Sequence, residues 1–237
     1  MAFGIVVLVV MVVLVVLVVL VVLMVIVTSA FMLAEEVDMD SENATDGRRL
    51  PPGLALSWGV EPEKSRGPKP AFSVGQIVAA SVELADRDGA AAVSLPRIAK
   101  NVGLSTTALY RYVRSKDELV VLMVDAAWGP PPAKIGRTRT WRTGAAAWTR
   151  GMIDQLAVHP WILDMPVQGA PLTPNTLRWL EAFLGVMARS GLDHGECLGC
   201  ALLLDGFARS YAGRDPAAVE FGLSRILDGI GVRVSGR

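Results

Sequence analysis

An all-α fold is the expectation, and three features of the sequence carry it. Apolar residues recur at spacings of three and four through most of residues 73–231. Ser, Thr or Asp open these runs and Gly or Pro close them, and no strand-like alternation is sustained over the same span. The runs divide into a short helical head over 72–129 and a helical-bundle body over 138–237. A long apolar stretch and a polar arm precede both.

Residues 1–34 hold no charge and consist largely of Val and Leu runs. About 20 apolar residues suffice to cross a bilayer, so the length is that of a transmembrane helix. The texture argues otherwise: no Trp or Tyr borders the run and no Lys or Arg flanks it closely. A secretory signal would have a basic start and a far shorter apolar core. The expectation is that 1–38 derive from a start codon placed too far upstream, with Met39 opening the hydrophilic beginning MDSENATDGRRLPPG. The competing reading is a membrane-anchored helical interaction protein that uses 1–34 as its anchor. Residues 39–71 are rich in Pro, Gly and charge without a helical period, which predicts a mobile arm. Lys64, Arg66 and Lys69 in KSRGPKP make it basic. That segment is either a solvated linker or an arm that reaches a DNA minor groove beside a helix-turn-helix.

Ser73 opens the first helix of the head. Gln76 completes a capping box, Ile77, Val78, Val82, Leu84 and Ala85 supply apolar positions, and Gly89 closes the run. The stretch SLPRIAKNVGLSTTALYRYVRSKDEL, from Ser94 to Leu119, follows. Ser94 is a candidate N-cap, Pro96 is tolerated in a first turn, and Ile98, Ala99 and Val102 form an apolar stripe. Gly103 ends that helix and a second begins after Ser105. At about 100° per residue, Ala108, Leu109, Tyr112 and Val113 fall on one side, and Thr106, Thr107, Tyr110, Arg111 and Arg114 on the other. Two short amphipathic helices about a Gly-containing turn make a helix-turn-helix, whose second helix can lie in a DNA major groove. Ser94 to Lys116 contains five Lys or Arg and no Asp or Glu, a bias that suits phosphates. The attraction has to be local, because the chain has 23 basic and 23 acidic residues and a pI near 6.7. Ser115 with Glu118 makes another capping box and opens a fourth helix, which Trp128 and the run GPPP stop.

These helices resemble the start of the TetR family of bacterial transcriptional regulators. LYRYVRSKDELVVLM is similar to that family's exit from the recognition helix, with IAKNVGLS before it and an apolar helix ending in DRDG upstream. The likeness implies a three-helix helix-turn-helix DNA-binding domain at 72–129 and a ligand-binding and dimerisation domain at 138–237. It further implies a cytoplasmic homodimer that represses transcription from a double-stranded DNA operator and leaves it when an unknown small-molecule effector binds. By the same likeness Thr106 and Thr107 face base edges, while Ser94, Tyr110 and Lys116 hold phosphates. Arg111 is either a bidentate contact to guanine, worth about 1–3 kcal/mol of discrimination, or a phosphate contact or surface charge. Tyr112 is expected in the core with its hydroxyl at the edge.

In the body, Trp141, Ala145, Trp148, Met152, Leu156 and His159 recur at helical spacing until Pro160. Thr173 is an N-cap with Pro174 at the first helical position, and that helix runs to Gly191. Two further helices span Asp193 to Gly213 and Pro216 to Gly231, and the family resemblance implies that they pair with a second subunit. Trp141, Trp148, Met152, Trp161, Trp179 and Phe183 either line an effector cavity or simply fill the core, with His159 and Asp205 as possible polar anchors. His194, Cys197 and Cys200 share a helix face, but a structural zinc site needs four ligands, so no metal is expected. Two cysteines make no disulfide framework and fit a reducing cytoplasm. No nucleophile-base motif, phosphate loop or paired-carboxylate cluster is present, so neither an enzyme nor a cofactor is expected, and a membrane is not an expected partner.

Overall fold

The computed structural model describes residues 52–60, 72–165 and 172–236. Residues 1–38 and the basic segment with Lys64, Arg66 and Lys69 lie outside the described residues. Among the described residues regular structure is helical: α1 (Pro52–Ser57), α2 (Val74–Asp88), α3 (Leu95–Asn101), α4 (Thr106–Leu109), α5 (Lys116–Trp128), α6 (Trp141–Val158), α7 (Pro174–Met187), α8 (His194–Tyr211) and α9 (Pro216–Ser235). Short 3-10 turns at Ala90–Ala92 and Pro160–Asp164 follow α2 and α6. No helix among these residues is long and apolar enough to cross a membrane.

Local capping explains where most helices begin. The Ser73 hydroxyl accepts from Gln76 N at 3.2 Å and Gln76 Oε1 accepts from Ser73 N at 2.8 Å, so two orphan amides are satisfied at the start of α2. Thr140 and Thr143 open α6 in the same way, and Asp193 and Glu196 open α8. Thr173 stands at the N-cap of α7 but makes no capping bond. Asp125 on α5 does that work instead, accepting from Asn175 N at 2.8 Å.

The arm expected over 39–71 requires correction. Pro52–Ser57 is a helix packed on α5, so close that a Cβ on Gly53 would lie 3.2 Å from Glu118 Cα. Trp58 then ties the segment to the body, its Nε1 donating to Leu172 O at 2.9 Å. Six residues are too few to display a helical period, and packing rather than propensity sustains so short a helix. The two-part division also needs qualifying, since one apolar core runs without a break from Ile77 in the head to Ile230 in the body.

Within the body, α6 is the central helix and packs against α7, α8 and α9. Its approach to α7 depends on Gly144, where an added Cβ would stand 2.3 Å from Val186 Cγ1 and 2.6 Å from Thr138 Oγ1. Val186 is fully buried and β-branched, so it cannot swing aside. Gly144→Ala is therefore expected to lower the melting temperature, because overpacking costs about 1–3 kcal/mol and exceeds the ~1 kcal/mol that alanine gains in a helix. Gly185, with nothing within 4 Å of its added Cβ, supplies the opposite sign: Gly185→Ala should raise the melting temperature in the same thermal scan.

Candidate nucleic-acid interface

The helix-turn-helix is built on α2, against which α3 and α5 pack. Ile77, Leu84, Ile98, Leu109, Val113, Leu119 and Met123 form its buried core. Gly103 takes φ +72°, a left-handed conformation that a side chain would resist, and this reverses the chain between α3 and α4. Ser105 then caps α4, accepting from Ala108 N at 3.1 Å.

The recognition helix is shorter than the periodicity over 106–114 suggests. Regular α-helix covers only Thr106–Leu109. Beyond it Arg111 N donates to Ala108 O at 3.2 Å and Tyr112 N to Leu109 O at 2.9 Å, the tighter spacing of a 3-10 turn. Leu109 and Val113 remain buried, while Thr107, Tyr110 and Arg111 are exposed and Thr106 is half-buried. Tyr112 packs partly buried against the core, and its hydroxyl accepts from Phe72 N at 3.4 Å. One side chain thus fixes both the exit of the recognition turn and the entry to α2.

Ser94 sits at the N-cap of α3 with extended backbone, but its hydroxyl makes no capping bond. Lys116 is exposed at the first position of α5. Ser115 Oγ accepts from Glu118 N at 3.0 Å, whereas the buried Glu118 carboxylate reaches Arg114 N instead of the cap's own amide. The expected box is therefore half formed, and its other half anchors the end of the recognition turn. Of the five basic residues, Arg97 is engaged by Asp88 at 2.6 Å. Lys100, Arg111, Arg114 and Lys116 are exposed and pair with no carboxylate among the described residues. Arg114 keeps the exposed side that the helical spacing gives it, and Lys100 joins it from the same positive run.

The body candidates fall in several places. Trp148, Met152, Trp179 and Phe183 are buried. Trp148 and Phe183 have ring centroids 4.7 Å apart, and Trp148 Nε1 donates to Trp179 O at 2.8 Å. Trp179 Nε1 donates in turn to Gly129 O at 3.0 Å, just past α5. Trp141 is half-buried at the start of α6, near Gly231 of α9. His159 and Trp161 lie at the far end of α6 and both reach Asp86 of α2. Asp205 pairs with Arg209 one turn along α8, at 3.0 Å. Burial pushes the Cys197 and Cys200 thiols above their ordinary range, which favours the neutral form over a metal-binding thiolate.

Asp125 and Asp86 escaped the sequence reading. Asp125 accepts from Asn175 N and, through its backbone carbonyl, from Asn175 Nδ2 at 2.9 Å. Gln155 Nε2 donates to Ala127 O in the same turn. Gln155 and Trp179 thereby satisfy the Ala127 and Trp128 carbonyls that the end of α5 leaves open, whereas Asp125 O also accepts from Gly129 N at 3.2 Å.

A basic, solvent-facing helix-turn-helix carried on a body of longer helices is the architecture of a helix-turn-helix regulator. A family profile described as bacterial regulatory proteins, tetR family, matches residues 77–123. The chain is 33% identical over 177 residues to an HTH-type transcriptional repressor, DrrR1, of Streptomyces coeruleorubidus, a match that takes in 72% of this chain and 65% of the repressor. The fold is similar to that of the TetR family protein ActR of Streptomyces coelicolor in complex with (S)-DNPA, with a TM-score of 0.58 and 19% identity over 70% of this chain and 98% of ActR. It is also similar to BioQ with its natural double-stranded DNA operator, with a TM-score of 0.52 and 19% identity over 68% of this chain and 99% of BioQ. The likeness to the TetR family thus rests on residues 77–123 for the profile and on a chain that spans 65% of the length of the curated repressor it matches.

Proposed function

We propose that this chain is a sequence-specific DNA-binding transcriptional regulator, a repressor that works as a homodimer and is released from its operator by a small molecule. The observation that carries the reading is the exposed set Thr107, Tyr110, Arg111 and Lys116 around a one-turn recognition helix, with cations that have no carboxylate partner among the described residues. Thr106 and Thr107 meet base edges, Ser94, Tyr110 and Lys116 hold phosphates, and Arg111 reads a base. Two such heads in a dimer require half-sites about one helical turn apart.

The dimer is supported by apolar residues left exposed on the last two helices, Leu198, Leu202 and Leu203 on α8 and Phe221 on α9. The effector is supported by the aromatic group Trp148, Trp179 and Phe183 between α6 and α7, which an apolar or aromatic ligand would open and repack. Because Trp179 bonds to the end of α5, repacking there changes the support of the head. Release then needs a ligand whose affinity differs between the two arrangements. A reducing cytoplasm is the compartment in which such a regulator meets DNA.

The test is to select genomic DNA fragments with the purified protein and then measure binding to the selected site at several salt concentrations. Lys116→Ala should weaken binding on every sequence and lower the salt slope by about one, whereas Arg111→Ala should relax preference at one base position. Tyr110→Ala should also weaken binding. If neither Tyr110→Ala nor Lys116→Ala alters affinity, the reading face is misassigned.

A further inference from the structure

We infer that Asp86 sets the angle of the reading head on the body and, through that angle, the half-site spacing the dimer accepts. The inference rests on the DNA-binding reading above and adds a positioning residue outside the DNA-facing surface. Asp86 lies in the last turn of α2, the helix on which the rest of the head is built. Its Oδ1 is 2.7 Å from His159 Nδ1 and 2.7 Å from Trp161 Nε1. A carboxylate at this position only accepts, so both ring N–H groups point at one oxygen.

Both donors belong to the body. His159 closes α6 and Trp161 sits in the 3-10 turn that follows. Trp161 is 3% exposed, so packing fixes its ring and the direction of its N–H. The His159 ring meets it edge to face, with centroids 6.3 Å apart, which orients the second donor. Hydrogen bonds to an ionised acceptor are among the stronger and more directional ones in proteins.

The head is also joined to the body by the far end of α5, through Asp125, Asn175, Gln155 and Trp179. The apolar core that head and body share is non-directional, whereas hydrogen bonds at both places, on different helices, define an angle. Helix α2 has 15 residues and spans about 22 Å, so a small tilt at Asp86 becomes a larger displacement at its other end. A step of one base pair moves a half-site by roughly 3.4 Å and turns it by about 35°, a scale that such a tilt controls.

The experiment uses the selected operator with its half-sites moved one base pair closer, left alone, or moved one base pair apart. The wild-type protein is expected to prefer one spacing by about tenfold, a typical coupling magnitude. Asp86→Ala and Trp161→Phe should shrink that preference to about threefold or less, with base preference inside each half-site and salt slope unchanged. Asp86→Asn, which keeps an acceptor oxygen, should restore most of it. Trp161→Phe removes the donor together with part of the ring's volume but leaves Asp86 and His159 in place, so it carries the test if Asp86→Ala fails to fold. A variant that melts earlier but keeps the wild-type spacing profile shows that the contact is merely structural and overturns the inference. A wild-type protein that selects no DNA overturns the underlying reading as well, which separates the two failures.

Discussion

Replacing Leu202 by Glu is expected to split the proposed dimer and to weaken operator binding by about 10²–10⁴-fold, the range by which joining two weak sites raises avidity. Leu202 is 75% exposed and Leu203 51%, on a helix whose Gly199 and Gly206 leave open space for a second backbone to approach. Leu202, Leu203, Gly206, Phe207, Ser210, Tyr211 and Ile226 line a shallow, mainly apolar hollow between α8 and α9. In a twofold interface each substitution is present twice, so two carboxylates would be buried in apolar surroundings. The fold itself should survive, because Leu202 contributes little to the core of one subunit. Light scattering gives the mass and a gel shift at fixed salt gives the affinity. Val158, 62% exposed at the end of α6, is the control, and Val158→Glu should change neither. A Leu202→Glu protein that stays dimeric would remove α8 from the interface.

Trp179→Ala should have the largest effect on stability, about 3–5 kcal/mol, as for other deletions of buried aromatic rings. Trp179 is 3% exposed and meets Trp128 and Trp148 edge to face at 5.7 and 6.3 Å. Its ring also lies 3.2 Å from where a Cβ on Gly151 would stand, so α6 has been shaped around it. Thermal unfolding should show a fall of about 6–20 °C, given 2–4 °C per kcal/mol for a chain of this size. Trp179→Phe separates packing from hydrogen bonding: it keeps most of the ring but leaves Gly129 O without this donor, a loss of about 1–3 kcal/mol. A Trp179→Ala protein that melts with the wild type would mean that the cluster does not support the body.

What could be read in advance was local. The starts of α2, α4, α5 and α8 coincide with Ser73, Ser105, Ser115 and Asp193, because capping is a contact between residues three apart. Buried Leu109 and Val113 were legible for the same reason, as near neighbours on one turn. The capping of α7 was not, because its acceptor Asp125 lies 50 residues earlier. His159 and Trp161 were grouped with the aromatic stripe of α6, but the break at Pro160 turns them toward α2 and a partner more than 70 residues away. Helix α1 escaped notice because a single turn and a half shows no period. The residues proposed to face DNA carry a positive bias visible in the local run from Ser94 to Lys116. Which cations remain without a partner depended on Asp88, a residue of another helix.

The exchange at Asp125 and Asn175 has a consequence for how the chain folds. An excised body would begin α7 with a bare amide, and an excised head would end α5 on open carbonyls with Trp128 facing water. Each half completes the other's helix ends. The head and the body are therefore expected to unfold as one cooperative unit, and neither should transfer intact to another protein.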